Sequence, residues 1–435
     1  MVCRRLQAVL LDGTELSPIV VRILFVHCNY PAQFRHLCRH FAANPENEVV
    51  FLCQNKEWTA GEVEGFSLVR YQLGRDPQGQ LCHPYLRRYE NAVLHGQAAL
   101  REAIRLRQQG FEPDLIIGHS GFGNTLYLKE VWPQAKFLGY FEWYYRTQGS
   151  DVGFGNEAPP SPDTCLRVHT YNSPIVMDLA QSDAGICATR WQAEQFPAAM
   201  RNHIRVIFDG IDTKRLPLVT PDSRVGGLAL EAGGQKVAIP ENVPLVTYVT
   251  RCFEPYRGWP QVAEGLARLM QRNPRAHVLL VGSDEVAYGA KRSDGLSWRE
   301  WALKKWPMDP DRLHMLPALS YDNYLAVIRR SWVHVYWTVP FILSWSLMES
   351  LASGCCVVAS STPPVQEMIQ SGEQGQLVDF FDPDALAQQV DRLLQDRDQR
   401  CQLGLRARQL ILEGGYDLQT CLQKQLELVD QVMAS

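Results

Sequence analysis

No two cysteines in the 435-residue sequence stand at C-x-x-C spacing, which excludes zinc ribbons and fingers of that pattern. The twelve cysteines are scattered singly or, at Cys355 and Cys356, sit in an apolar run (GCCVVAS) that reads as a buried strand. Unpaired thiols of this kind fit a reducing, cytoplasmic setting. No apolar run reaches 18 residues, so no membrane-spanning helix is expected, although peripheral contact with a membrane stays compatible with the sequence. An excess of basic charge is missing as well. The 43 Lys and Arg against 47 Asp and Glu leave a net charge of −4, which argues against a nucleic-acid partner. The short signatures of several chemistries are absent too: no G-x-G-x-x-G follows a strand, and there is no P-loop and no G-x-S-x-G elbow. No D-x-D closes a strand and no His/Asp cluster has metal spacing, so neither a metal nor a resident cofactor is expected.

What the chain does contain is an alternation of short apolar strands and helical segments. A hydrophobic content of 46% with 21% charged residues marks a globular protein, and 435 residues exceed one ordinary core. VRILFVHC (21–28) is the first expected strand, followed by a helix from about Pro31 to Ala43. Strands at 48–53, 114–119, 136–141, 183–188 and 204–210 continue the series, with a long helix from about Pro84 to Gln109. Residues 212–243, with Pro217, Pro221, Pro240 and two Gly-Gly pairs, break it. It restarts with PLVTYVTR (244–251) and continues through strands near 277–282, 312–317, 333–337, 355–360 and 375–380. Two terminal helices are expected between about Asp384 and Met433.

This pattern predicts an α/β chain of two doubly wound parallel domains. The expected divisions are an N-terminal extension (1–20), a first domain (21–211), a linker or hairpin arm (212–243), a second domain (244–415) and a last helix (416–435) that packs back on the first domain. Arg4 and Arg5 before AVLL faintly suggest a leader, but Asp12 and Glu15 cut the apolar stretch, so none is expected.

Open parallel sheets bind ligands beyond the carboxyl ends of their strands, and a cleft between two such domains is the natural active site. The strand 244–251 ends on Arg251, and its loop carries Arg257 beside Gly258. Two guanidinium groups there can grip a diphosphate, or can simply pair with Glu254 or Glu264. In the segment 337–360, a helix starting near Ser344, Trp345 and Ser346 offers its free N–H groups to an anion. Glu349 faces the same side, although Ser346–Glu349 also fits a capping box. His119 and Glu142 follow two strands of the first domain and could handle a proton, and the loop with His27, Asn29, Tyr30 and Gln33 follows its first strand.

Together these segments resemble the retaining glycosyltransferases of family 4 over roughly residues 21–430. The order is the family's: an Arg-ending strand with a basic-Gly pair, VGSDE (281–285), then a strand–Pro–loop–helix ending ESLASGCCVVAS. The family writes that last block approximately as P-E-G-F-G-L-x-x-x-E-A-x-A-x-G-x-P-V-V-A, and the spacing from Pro340 to Glu349 and Gly354 is kept. VIFDGID (206–212) is similar to its V-x-N-G-V-D.

The resemblance implies the GT-B fold, two facing Rossmann-like domains with the active-site cleft between them, acceptor on the first and donor on the second. It implies metal-independent, retaining transfer from a nucleoside diphosphate sugar to an acceptor, leaving the acceptor and the oligomeric state open. Arg251 and Arg257 take the diphosphate roles, Arg257 with one extra loop residue, and Glu349 matches the glutamate that binds the ribose. Asp284 lies in the donor-side VGSDE. The preceding glutamate of the E-x7-E pattern, which meets the transferred sugar, is replaced by Phe341, and Glu142 stands where the family often has histidine. Ser344, Trp345 and Ser346 are then the candidates to read the sugar. Phe341 also keeps two other readings open, a different enzyme on this fold (an epimerase or phosphorylase) or a non-catalytic sugar-nucleotide binder.

Overall fold

Strands covered on both faces carry apolar side chains at consecutive positions. RILFVH does so: in the computed structural model it is β1 (Arg22–His27), fully buried from Ile23 to Val26. The structure describes residues 21–54, 65–76, 82–156, 158–216, 218 and 224–435. The expected N-terminal extension and part of the linker, Pro217 and Pro221 included, lie outside the described residues. The chain divides into two compact units, one holding residues up to Asp209 together with Gln419–Ser435, the other Gly210–Leu418.

In the first unit, β1 is joined by β2 (Glu48–Gln54), β3 (Ser67–Tyr71), β4 (Leu115–His119), β5 (Lys136–Tyr140), β6 (Ala184–Cys187) and β7 (Ile204–Val206). All pair in parallel, in the order β3-β2-β1-β4-β5-β6-β7. One face buries Leu24, Val26, Val50 and Leu52 against Ala99, Ala103 and Leu106 of the helix Arg87–Gln108. β3 is not expected from the sequence. As an edge strand it leaves Ser67 and Arg70 exposed and only Tyr71 buried, so its apolar signal is weak. The helix Leu418–Ala434 belongs to this unit, burying Leu428, Val429 and Val432 and donating from Gln425 Nε2 to Phe208 O at 3.3 Å.

The second unit opens with an antiparallel hairpin, β8 (Leu228–Ala232) and β9 (Gln235–Ile239). Gly233 and Gly234 turn it at φ +55 and +76, the doubly positive backbone of a two-residue hairpin turn. Leu230 and Ile239 join Leu245, Leu279 and Leu316 in the unit's core. The main sheet holds β10 (Leu245–Cys252), β11 (His277–Ser283), β12 (Leu313–Leu316), β13 (Val333–Tyr336), β14 (Val357–Ser360) and β15 (Gln376–Val378). It is parallel throughout, in the order β12-β11-β10-β13-β14-β15. Beyond it, three helices replace the two expected: Pro383–Gln395, Arg397–Glu413 and Leu418–Ala434. The unrecognised break is at Asp396, whose side chain accepts from Gln399 N and starts a new helix one residue after the last.

Candidate active site

Strand order reverses between β10 and β13 in the second unit, and between β1 and β4 in the first. Successive connections diverge at such a reversal and leave a crevice beyond the strands' carboxyl ends. The sequence places its unusual polar residues on those four strand ends.

In the second unit, the register of β10 slips against β11 between Val249 and Cys252, and Arg251 falls in that irregularity with its side chain exposed. A single 3-10 turn, Pro255–Arg257, follows and ends on Gly258 at φ +62. A Cβ on Gly258 would stand 2.2 Å from Trp337 Cδ1, so only glycine lets the turn approach β13 this closely. The turn aims Arg257 at the loop after β13: its Nη1 donates to Thr338 Oγ1 at 3.0 Å and to Ile342 O at 3.4 Å. Behind it lies Glu254, 1% exposed, whose Oε2 accepts from the N–H groups of Ala287 and Tyr288 at 3.0 and 2.8 Å. Burial raises the Glu254 carboxyl above its ordinary range, against the pull of those N–H groups and of Arg257 and Arg251.

The helix Trp345–Ala352 starts at this loop with Ser344 as its N-cap; Ser344 Oγ accepts from Ser346 N at 3.2 Å. The Ser346–Glu349 capping box suggested by spacing is therefore not formed, because the helix begins two residues earlier. Glu349 instead accepts from Tyr321 Oη at 3.0 Å, and Arg215 covers the Tyr321 ring at 4.9 Å. Burial and the Glu349 charge push the Tyr321 hydroxyl well up, which keeps it a donor. Trp345 is 42% exposed beside the helix start. Phe341 turns inward, 4% exposed, with its ring edge-on to Tyr256 at 5.5 Å and Tyr288 at 5.2 Å. Asp284 is drawn into an ion pair with Arg299.

In the first unit, the ends of β1, β4 and β5 bring five of the expected residues together. The His27 and His119 rings meet edge-to-face at 4.6 Å. His27 Nδ1 accepts from Asn29 N at 2.7 Å. His119 Nδ1 donates to Ser120 O at 2.8 Å, which leaves Nε2 facing Glu142 Oε2 at 3.4 Å. Glu142 Oε1 accepts from Gln33 Nε2 at 2.9 Å. Tyr30, by contrast, lies in the core against Phe51.

Sequence reasoning missed Asp178, which is completely buried and accepts from Ser120 Oγ and Thr125 Oγ1, both at 2.8 Å. It clamps both ends of the 120–125 loop next to His119. Burial lifts its carboxyl to about 6. The available signal was one acid in the otherwise uncharged helix SPIVMDLAQ. Glu254 and Tyr321 went unassigned because nothing local marks a residue whose partner is 28 to 34 positions away.

Two family models match the chain. Residues 45–216 match the glycosyl transferase family 4 group, and residues 233–410 match the glycosyl transferases group 1. The chain belongs to the glycosyltransferases. Among curated relatives, the chain is 24% identical over 205 residues to D-inositol 3-phosphate glycosyltransferase of Corynebacterium efficiens, covering 47% of this chain and 45% of that protein. The Corynebacterium glutamicum counterpart is 25% identical over 203 residues, 44% and 46% of the two chains. The chain thus spans about half the length of the curated relatives it matches.

Solved structures cover nearly all of it. Sucrose-phosphate synthase from Thermosynechococcus elongatus superposes with a TM-score of 0.67 at 20% identity, over 95% of this chain and 99% of that one. Anabaena HepE in complex with UDP-glucose does so with a TM-score of 0.66 at 14% identity, over 94% and 100%. The two parallel-sheet domains therefore match the GT-B architecture. Among the described residues no helix is long and apolar enough to cross a membrane.

Proposed function

We propose that this glycosyltransferase moves a sugar from a nucleoside diphosphate donor to an acceptor with retention of configuration, and acts on the cytoplasmic side. The observation that carries the reading is the placement of Arg257 against the loop that opens the Ser344-capped helix, at the strand-order reversal of the second unit. A diphosphate held there meets one positive charge from Arg257, a second from the exposed Arg251, and the positive end of the Ser344-capped helix dipole. Negative charge grows on the leaving diphosphate as the glycosyl bond breaks, so these groups bind the transition state more strongly than the ground state. Charge neutralisation falls to the arginines rather than to a metal ion. Glu349, with Tyr321 donating to one oxygen, accepts the ribose hydroxyls, while Ser346 and Trp345 meet the sugar. In the first unit, Glu142 and His119 take the acceptor side, where the pair can relay the acceptor proton.

HepE binds UDP-glucose and UDP, so uridine nucleotides are the first donors to test. Titration calorimetry with UDP and UDP-sugars should show saturable binding that Arg257→Ala weakens. Absence of binding by any nucleoside diphosphate would sink the reading. Phe341 favours a second reading, a sugar-nucleotide binder without turnover. Release of UDP from a bound donor, with or without candidate acceptors, separates the two.

A further inference from the structure

Residues three apart on a helix share a face, so Tyr321 and Tyr324 project side by side from the helix Tyr321–Arg330. Their ring centroids are 5.9 Å apart. Both hydroxyls reach the helix Trp345–Ala352: Tyr321 Oη donates to Glu349 Oε1 at 3.0 Å, and Tyr324 Oη lies 3.5 Å from Ser346 O. The two tyrosines differ in their access to solvent. Tyr324 is 9% exposed, whereas Tyr321, at the first position of its helix, is 36% exposed.

Tyr321 is fixed from two sides. Arg215 Cζ stands 4.9 Å from its ring centroid, and its hydroxyl proton is directed at Glu349. Glu349 is a long, half-buried side chain, and left to itself its carboxylate samples several rotamers. A ligand that needs one of those rotamers loses affinity to the ordering. The bond from Tyr321 does that ordering before any ligand arrives. It also uses only part of the carboxylate, since each ionised oxygen accepts from more than one donor. Phenylalanine at this position keeps the ring under Arg215 and loses the bond to Glu349, which separates the hydroxyl's role from packing.

We propose that Tyr321 is a positioning residue that makes the donor site select ribonucleotides over 2′-deoxyribonucleotides. The inference rests on the donor reading above, in which Glu349 accepts the ribose hydroxyls. Held by Tyr321, the carboxylate presents its remaining lone pairs in one direction, where two vicinal ribose hydroxyls donate together. A 2′-deoxyribose brings one donor fewer and leaves an oriented acceptor without its partner, which costs binding. Released from Tyr321, the carboxylate turns to meet water or the single hydroxyl that remains. The second hydroxyl then gains little, and the two kinds of nucleotide become nearly equivalent.

The test uses the full chain. UDP, ADP, GDP and CDP are titrated by calorimetry at fixed ionic strength, and whichever binds is compared with its 2′-deoxy form. The parent should favour the ribonucleotide by roughly tenfold or more. Tyr321→Phe, with an unchanged circular dichroism spectrum, should weaken the ribonucleotide by roughly fivefold and leave the deoxyribonucleotide within about twofold of its parent affinity. The preference thus falls to about twofold. A purely structural role for Tyr321 would weaken both nucleotides alike, so the ratio decides between the two. Equal affinities in the parent, equal losses in Tyr321→Phe, or an undiminished preference in that variant each overturn the inference while nucleotide binding itself still stands. If the parent binds none of the four nucleoside diphosphates, the donor reading falls and takes this inference with it.

Discussion

At the scale of single residues, Arg257 is set apart by its direction, with Nη1 bonded to Thr338 Oγ1 and Ile342 O in the loop before the Ser344-capped helix. Losing its guanidinium removes a planar, bidentate donor from the leaving diphosphate. Arg257→Ala should lower turnover by roughly a hundredfold or more, measured as donor-dependent product formation, with circular dichroism unchanged. A variant that turns over like the parent removes Arg257 from the mechanism. Glu349→Ala should weaken UDP binding by calorimetry. Because Ser344, not Ser346, caps the helix, the same change should leave thermal stability within about 1 kcal/mol. Asp178 gives a pH signature. Its carboxyl rises from 3.8 unfolded to about 6 folded, so the folded state holds the proton more tightly. Stability from this group is full below pH 4 and is lost as pH rises through 6, by about 3 kcal/mol. Denaturant titrations at pH 4 and pH 7 should show that slope in the parent chain and a flatter one in Asp178→Asn.

Elements succeed or fail on what closes their ends. Gly258 combines a left-handed backbone with a Cβ position 2.2 Å from Trp337, so Gly258→Ala should displace the turn that aims Arg257. Loss of nucleotide affinity together with a lowered melting temperature is the expected pattern, and unchanged affinity would show that the turn does not position Arg257. Elsewhere in the second unit, arginines satisfy carbonyls that helices and loops leave open. Arg330, 3% exposed, donates to Gly226 O, Pro240 O and Val243 O at 2.5, 3.1 and 2.8 Å, tying the hairpin segment to the sheet. Arg330→Met removes all three bonds and should cost roughly 2–4 kcal/mol in urea unfolding. A cost under about 1 kcal/mol would show that water replaces these bonds. The same dependence on ends explains which elements the sequence reveals. Central strands such as β1 and β14 announce themselves by unbroken apolar runs. β3 does not, because an edge strand half-open to solvent tolerates Arg70. The helix break at Asp396 was hidden because neither proline nor glycine marks it and a single residue separates the two helices.

For the molecule as a whole, the last helix is remote in sequence from the unit it completes. Leu428, Val429 and Val432 are buried with the first unit's residues. Removing residues 418–435 should therefore raise amide exchange in β5 to β7 and leave β10 to β14 unaffected; faster exchange confined to the second unit would contradict that assignment. The parallel α/β order and most strand positions follow from the sequence alone, because burial on both faces demands local apolar runs. The candidacy of Arg251, Arg257 and Glu349 follows from their place at strand and helix ends. Tertiary structure alone decided which of these side chains have partners and of what kind. It paired Glu349 with Tyr321, turned Phe341 and Tyr30 inward, gave Asp284 to Arg299, and recruited Asp178 and Glu254 as clamps. Those outcomes depend on contacts between segments distant in the chain, and on a buried polar group's need for a partner wherever the fold supplies one.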